Sequence, residues 1–257
     1  MGYHFEDFTM NNYALIMRKL QSRYKFIPFR YNFMMDVNIV LCRHDVDFSL
    51  KRALRFAEIE YDIGVYTTYF VLFHSDFYNP LEIEECRILR KIKGMGHSIG
   101  LHFDHEFYMC FQNKENDGLF LEKMELERNI LEQLIEDKVE TVSFHNPDLS
   151  GAINITDRYV GINNDLLNAY STDIMENFEY CSDSNGYWRF KRLEDVIDEK
   201  PSRLYILLHP GNWSNGDPIS PYERVSSCAY DRAELAMSNY CELLKKAGRE
   251  NVGYING

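Results

Sequence analysis

The sequence lacks the features that mark membrane and secreted proteins. No apolar run approaches the ~18 residues of a transmembrane helix, and residues 1–7 have neither the basic region nor the apolar core of a secretory signal. The six cysteines include no C-x-x-C pair, and a disulfide framework is not expected in a chain of 257 residues with its own core. We therefore expect a cytoplasmic protein with reduced thiols and no membrane span.

Basic residues are also few. The chain carries 28 Lys and Arg against 40 Asp and Glu, for a formal net charge of -12. Nucleic-acid binding needs clustered Lys and Arg to displace counterions, and an anionic membrane attracts the same residues. The charge therefore argues against both kinds of partner.

Long linkers and internal repeats are absent, because Gly and Pro are dispersed along the chain as loop residues. The length suits one α/β unit, since barrels of roughly 250 residues commonly fold as single domains. We predict one domain over residues 1–257, with an N-terminal helical extension over about residues 1–35. The oligomeric state is not indicated.

Short apolar strands alternate with amphipathic segments along most of the chain. Strands are predicted at 38–42, 66–72, 98–103, 140–144, 177–181 and 204–208, and helices at 10–23, 49–63, 81–93, 119–137 and 222–246. Such alternation implies an α/β fold with parallel strands and crossover helices, in a barrel or an open doubly wound sheet.

Histidines gather where the predicted strands end. Those at or just after a C-terminal strand end are His44, His74, His102, His145 and His209. A single histidine there is most often a hydrogen-bonded loop residue, but active sites of parallel α/β folds are built from these strand ends. Five together with carboxylates favour a site, whereas His97, which precedes its strand, is expected to be structural.

The pair Asp45 and Asp47 is the first candidate cluster. Residues i and i+2 of an extended segment share a side, so both carboxylates should face the site while His44 and Val46 face away. Two acids so placed repel unless a cation or proton lies between them. One could hold a metal and the other act as a general base toward water, although such a pair can also simply cap the next helix.

The segment after the third predicted strand is the second cluster. His102 ends the strand, and His105 and Glu106 could return to the same point if the chain turns helically there. Imidazole and carboxylate ligands suit zinc, with manganese, iron and cobalt left open. Further on, His145 and His209 each end an apolar strand that a proline stops, a rigid position from which a histidine can donate a proton.

The order and spacing of these motifs over residues 38–213 resemble the polysaccharide deacetylases, the NodB-homology group of carbohydrate esterases. The resemblance makes Asp45 the catalytic base, Asp47 and His102 metal ligands, and His209 the catalytic acid. It implies a distorted (β/α) barrel of about seven parallel strands, a divalent metal, above all zinc, and hydrolysis of an N-acetyl group on an amino sugar.

Three positions depart from the family pattern. Val46 splits the usual Asp-Asp pair, Glu106 stands where a second metal histidine is expected, and His145 replaces an arginine that orients the base. The third metal ligand is left open among His105, His145 and Glu106, with His105 slightly preferred.

Residues 182–189 resemble a segment of a divergent branch linked to bacterial surface-glycan biosynthesis. The candidate substrate-binding residues are His145, Asn146, Asp183, Trp188 and Trp213. The expected substrate is an amino-sugar glycan or a nucleotide- or lipid-linked sugar. An amidohydrolase of a small non-sugar amide, and a non-catalytic barrel that binds a sugar or a partner protein, are the alternatives.

Overall fold

A computed structural model describes residues 3–109 and 117–253 of the chain. Its strands form one nine-stranded sheet. They are β1 (Lys25–Phe26), β2 (Ile39–Val46), β3 (Thr68–Leu72), β4 (Ser98–Phe103), β5 (Thr141–Phe144), β6 (Tyr159–Val160), β7 (Leu166–Asn168), β8 (Glu179–Ser182) and β9 (Arg203–Leu208).

The strand order is β6-β7-β5-β4-β3-β2-β9-β8, and β1 pairs with β2. Every ladder is parallel except β6 with β7. The sheet curls, and across the curl the Tyr205 hydroxyl of β9 donates a hydrogen bond to the carbonyl of Ala169, just beyond β7, at 2.9 Å. The prediction of an α/β fold with parallel strands in a distorted barrel is confirmed, and the sheet is a curled half-barrel.

Helices join most of the strands. They are α1 (Met10–Gln21), α2 (Leu50–Asp62), α3 (Ile83–Gly94), α4 (His105–Met109), α5 (Asp117–Ile135), α6 (Pro147–Ser150), α7 (Thr172–Met175), α8 (Leu193–Glu199) and α9 (Pro221–Lys246). The long predicted helices are present. In the described parts of the chain, no helix combines the length and apolarity that a membrane span requires.

The core lies on both faces of the sheet. Leu41, Phe70 and Tyr205 belong to the cluster inside the curl, and a larger cluster fills the space between sheet and helices. Helix α1 is part of this larger core, since Tyr13 and Leu20 are fully buried in it. The predicted N-terminal extension is thus packed into the body of the protein.

The thiols of Cys42, Cys86, Cys181, Cys228 and Cys241 are all free. Cys42, Cys181 and Cys228 are buried, and the other two are half-buried. Cys110 lies outside the described residues.

Candidate active site

Side chains from four strand ends meet at the C-terminal edge of the sheet. Nε2 of His102 lies 3.3 Å from Oδ1 of Asp47 and 3.7 Å from Oδ2 of Asp45. Nδ1 of His145 lies 3.8 Å from Oδ1 of Asp47, and Nε2 of His209 lies 3.8 Å from its Oδ2. In the sheet β5 is next to β4 and β2 is next to β9, with only β3 between β4 and β2, so these parallel strand ends bring the residues together.

Asp47, His102 and His145 form a possible metal-binding group. Each offers one ligand atom, and these atoms all lie within 4.8 Å of one another. Oδ1 of Asp47 is buried and has no hydrogen-bond partner among the described residues. A buried carboxylate oxygen without a donor is costly, and a cation held by these three groups would remove that cost.

Hydrogen bonds through Ser143 connect His102 to Asp45 and orient its ring. The Ser143 hydroxyl donates to Oδ1 of Asp45 at 3.4 Å, and its oxygen lies 2.6 Å from Nδ1 of His102. Because the hydroxyl proton points to Asp45, the serine oxygen accepts a hydrogen bond from the Nδ1–H of His102. Nε2 of His102 is thereby directed toward Asp47, the orientation that a metal ligand needs.

The charges in the group also suit a cation. Burial opposes ionisation of Asp47, but the imidazoles of His102, His209 and His145 outweigh it and lower the pKa of the carboxyl. Burial lowers the pKa of His145, which favours its neutral form despite the nearby Asp47 charge. An ionised carboxylate and neutral imidazoles are the ligand states that zinc requires.

Arg43 forms an ion pair with Asp45 on the inner face of the curled sheet. The sequence pattern did not identify Arg43 as a site residue. The two side chains are buried, and Nη2 of Arg43 lies 3.4 Å from Oδ2 of Asp45. The guanidinium is surrounded by rings, with the centroid of Tyr170 at 4.3 Å and that of Tyr205 at 5.5 Å. Arg43 precedes Asp45 by two residues in β2, so strand alternation could have placed it on the inner face.

His209 is fixed by Asp183, which follows β8. The Asp183 carboxylate accepts hydrogen bonds from Nδ1 of His209 at 2.6 Å, from its backbone N–H, and from Nε1 of Trp213 at 2.9 Å. Burial disfavours the charged imidazole, but the Asp183 carboxylate outweighs burial and raises the pKa of His209 to about 9. His209 is therefore protonated near neutral pH, with Nε2 toward the site.

Two of the residues predicted to bind substrate do not reach the surface of the protein. Asp183 and Trp213 are both fully buried, which leaves them no surface for a sugar. Trp188 is half-buried against Phe8 and Trp213, and its Nε1 donates to Asp7 at 2.7 Å. Asn146 is exposed beside the site, with its amide 2.9 Å from Nε2 of His145.

The structure brings His145, rather than His105, to the metal-binding group. His105 begins α4, where its Nδ1 lies 3.1 Å from the carbonyl oxygen of Ser150 and its ring centroid lies 3.9 Å from that of Phe120. Glu106 is exposed on the same helix. Neither belongs to the candidate metal groups found among residues 3–109 and 117–253.

A second group of possible ligands, Cys42, His44 and Glu60, lies between the sheet and α2. Glu60 is fully buried and accepts hydrogen bonds from Tyr13 at 2.7 Å and from Tyr69 at 2.5 Å, besides its contact with His44 at 2.8 Å. Its charge is satisfied without a cation, so the group is a structural network.

The two remaining strand histidines are also held by hydrogen bonds. His97 is buried, and its Nε2 lies 3.1 Å from the carbonyl oxygen of Ala57, as expected for a structural residue. His74 lies 2.8 Å from Glu127, outside the metal-binding group.

No protein-family model matches the chain, and no curated protein sequence matches it. Several solved structures are similar in fold. One is a family 4 carbohydrate esterase from Bacillus anthracis, with 15% identity, a TM-score of 0.41, and coverage of 88% of this chain and 86% of that one. Another is a family 4 acetyl xylan esterase from Clostridium thermocellum in complex with cobalt, with 14% identity, a TM-score of 0.42, and coverage of 82% and 85%.

A family 4 pseudoenzyme from Bacillus anthracis is also similar, with 15% identity and a TM-score of 0.39 over 76% of this chain and 60% of that one. These proteins carry the name of the esterase group that the motifs resemble. Identity and TM-score are both low, so the residues of the chain itself must support any functional assignment.

Proposed function

We propose that the protein is a metal-dependent hydrolase that removes an N-acetyl group from an amino-sugar glycan or glycan precursor. The observation that supports it most is the meeting of Asp47, His102 and His145 at one edge of the sheet. Asp45 lies 3.7 Å from His102 and His209 lies 3.8 Å from Asp47, so a base and an acid are both next to the place where a metal would bind.

The residues present fit a divalent metal, with zinc the best match to one carboxylate and two imidazoles. Asp47, His102 and His145 would hold the ion, and Oδ1 of Asp47 would gain the partner it lacks. When bound, the ion supplies Lewis-acid polarisation of the amide carbonyl and lowers the pKa of water.

The side chains of the protein divide the proton transfers between them. Asp45 accepts the proton of the attacking water, and its carboxylate is held for this by Arg43 and Ser143. His209 donates the proton that the departing amine needs, since it is charged near neutral pH and is held by Asp183. The amide C–N bond breaks, and acetate and a free amine are the products.

Activity and metal content together test the proposal. Purified protein, stripped of metal and reloaded with zinc, is assayed for amine release from acetylated amino-sugar oligomers and from small non-sugar amides. We expect zinc-dependent turnover of the sugars, about a 10²-fold loss in Asp45→Asn with zinc retained, and loss of both zinc and activity in Asp47→Ala.

A matched pair of variants distinguishes the third ligand. His145→Ala should lose zinc, whereas His105→Ala should keep it, because His145 belongs to the group with Asp47 and His102 and His105 does not. Turnover of small amides alone would assign the site to a different amidohydrolase. Zinc binding below about a tenth of an equivalent would instead indicate a non-catalytic barrel and refute the proposal.

A further inference from the structure

A pocket of about 260 Å³ lies between helices α3 and α9 and the loops that follow β2 and β3. Phe48 and Phe77 line it from the two loops, Glu85 lines it from α3, and Leu235 lines it from α9. Among the described residues that line it, none belongs to the candidate active site, so the pocket is a separate cavity. Its volume suits a ligand the size of a single ring.

The carboxylate of Glu85 is the polar group of this pocket that lacks a partner. Only 6% of the residue is exposed, and its Oε2 is buried with no hydrogen-bond partner among the described residues. Burial and the neighbouring Glu82 carboxylate raise the pKa of Glu85 to about 7. Arg232 is nearby, but its two Nη atoms donate to Glu82 at 2.7 and 2.6 Å. A carboxylate buried in this way is costly unless a cation reaches it from the pocket.

The other charges around the pocket also favour a cation. Asp231 and Glu234 are exposed on α9 and line the pocket. Two basic residues line it as well, Arg232, which is paired with Glu82, and Lys51, which is exposed. Carboxylates therefore outnumber the basic groups that are left to balance them, and the potential in the pocket attracts positive charge.

The walls of the pocket suit an organic cation better than a metal ion. The rings of Phe48 and Phe77 pack edge to face, with their centroids 5.0 Å apart, and both are half-buried. Aromatic rings attract ammonium groups and give the ring that carries such a group an apolar wall. The acidic residues of the pocket do not form one of the candidate metal groups found over residues 3–109 and 117–253.

We propose that this pocket is a second binding site, which holds the free ammonium group of an amino sugar. The ammonium group pairs with Glu85, and the sugar ring packs against Phe48 and Phe77. The ammonium group is assigned from the charges of the pocket, whereas the choice of a sugar rests on the proposed function, which releases such an amine. Phe48 directly follows Asp47 in the sequence, so the pocket begins beside the loop that carries a proposed metal ligand. The protein thereby recognises a glycan that has already lost an acetyl group.

The test is a ligand-observed NMR titration of the full chain near neutral pH with glucosamine, glucose and N-acetylglucosamine. We expect glucosamine to bind with a Kd of about 1 mM, and the other two sugars to bind at least about tenfold more weakly because they lack the positive charge. The affinity for glucosamine should be the same with and without zinc, because the pocket does not include the proposed metal ligands.

A matched pair of glutamate variants locates the ligand. Glu85→Gln should weaken glucosamine binding at least about tenfold and should not lower stability, because it removes a buried charge that has no partner. Glu84→Gln is the control, since Glu84 is exposed on the same helix and pairs with Arg87. Phe77→Leu keeps an apolar wall but removes the ring face, and it should weaken binding several-fold.

Three results would overturn the proposal. They are equal binding of glucose and glucosamine, unchanged binding in Glu85→Gln, and binding that requires zinc, which would place the ligand in the active site. Failure here is distinguishable from failure of the proposed function. Deacetylation without glucosamine binding would refute the second site alone, and zinc-independent glucosamine binding without deacetylation would refute the hydrolase alone.

Discussion

Asp183 decides the protonation of His209. Its carboxylate accepts from Nδ1 and raises the pKa of the imidazole to about 9, so the charged form persists near neutral pH and is lost as pH rises through about 9. A proton donor is needed only for the departing amine. The fall of kcat at basic pH should therefore follow the loss of the His209 proton.

Asp183→Asn should move the basic limb of the profile to lower pH. The neutral amide can no longer stabilise the imidazolium, while its oxygen still accepts one hydrogen bond. The pH dependence of kcat for the zinc-loaded enzyme measures the shift, with zinc content as the control. A limb that stays in place would exclude His209 as the acid.

Arg43→Met should lower kcat about tenfold or more with little change in zinc content. The guanidinium is the buried cation beside the Asp45 carboxylate, and without it the base loses both its orientation and its compensating charge. Arg43→Lys should be intermediate, because an ammonium lacks the planar fork. Steady-state kinetics of the three proteins test this, and equal kcat values would contradict it.

The positions of residues at strand ends could be predicted from the sequence. The positions of residues in the turns that follow the strands could not. Asp45, Asp47, His102 and His209 converge because β2, β4 and β9 are parallel neighbours or near neighbours. The position of His105 depends on the direction of α4 and on Phe120, a contact with α5. No local pattern contains that contact.

At the scale of elements, Glu60 joins a helix to the sheet. Its carboxylate links α2 to Tyr13 of α1, His44 of β2 and Tyr69 of β3. Burial opposes its ionisation, yet the charge of His44 and the hydrogen bonds around it lower the pKa of Glu60. It therefore stays ionised in the core.

Glu60→Ala should lower the free energy of unfolding by at least about 3 kcal/mol, because the buried donors around it lose their acceptor. Glu58→Ala on the same helix is the control. Its ion pair with Lys91 is at the surface and should be worth at most ~1 kcal/mol. Urea unfolding of both variants gives the comparison, and equal losses would show that the network is not stabilising.

The short elements were beyond sequence reasoning for a physical reason. Strands β1, β6 and β7 have only two or three residues, too few for an alternating pattern to appear. Their positions follow from pairing: β1 pairs with β2, β7 pairs with β5, and β6 in turn pairs with β7. The long strands and helices were predictable because their apolar positions repeat several times.

At the scale of the whole molecule, metal binding and folding should be linked. A ligand that binds only the folded state stabilises it by about 2.7 kcal/mol at a hundredfold excess over Kd. Zinc should therefore raise the unfolding temperature of the native protein and leave Asp47→Ala unchanged. Differential scanning calorimetry measures both.

Cys42→Ser is the control for the buried second group of possible ligands. If the first group binds the ion, this variant should keep the zinc-dependent rise in unfolding temperature. The opposite result would assign the metal to the second group: zinc would no longer raise the unfolding temperature of Cys42→Ser but would still raise that of Asp47→Ala.

The alternation along β2 has a consequence for insertions and deletions. Arg43 and Asp45 lie on the inner face, while Cys42 and His44 lie on the outer face. Loss of one residue from this strand would exchange the two faces, putting an unpaired imidazole inside and two charged groups against α2. The chemistry of the site and the folding of the chain would both fail, so a deletion of one residue from β2 cannot alter one of them and preserve the other.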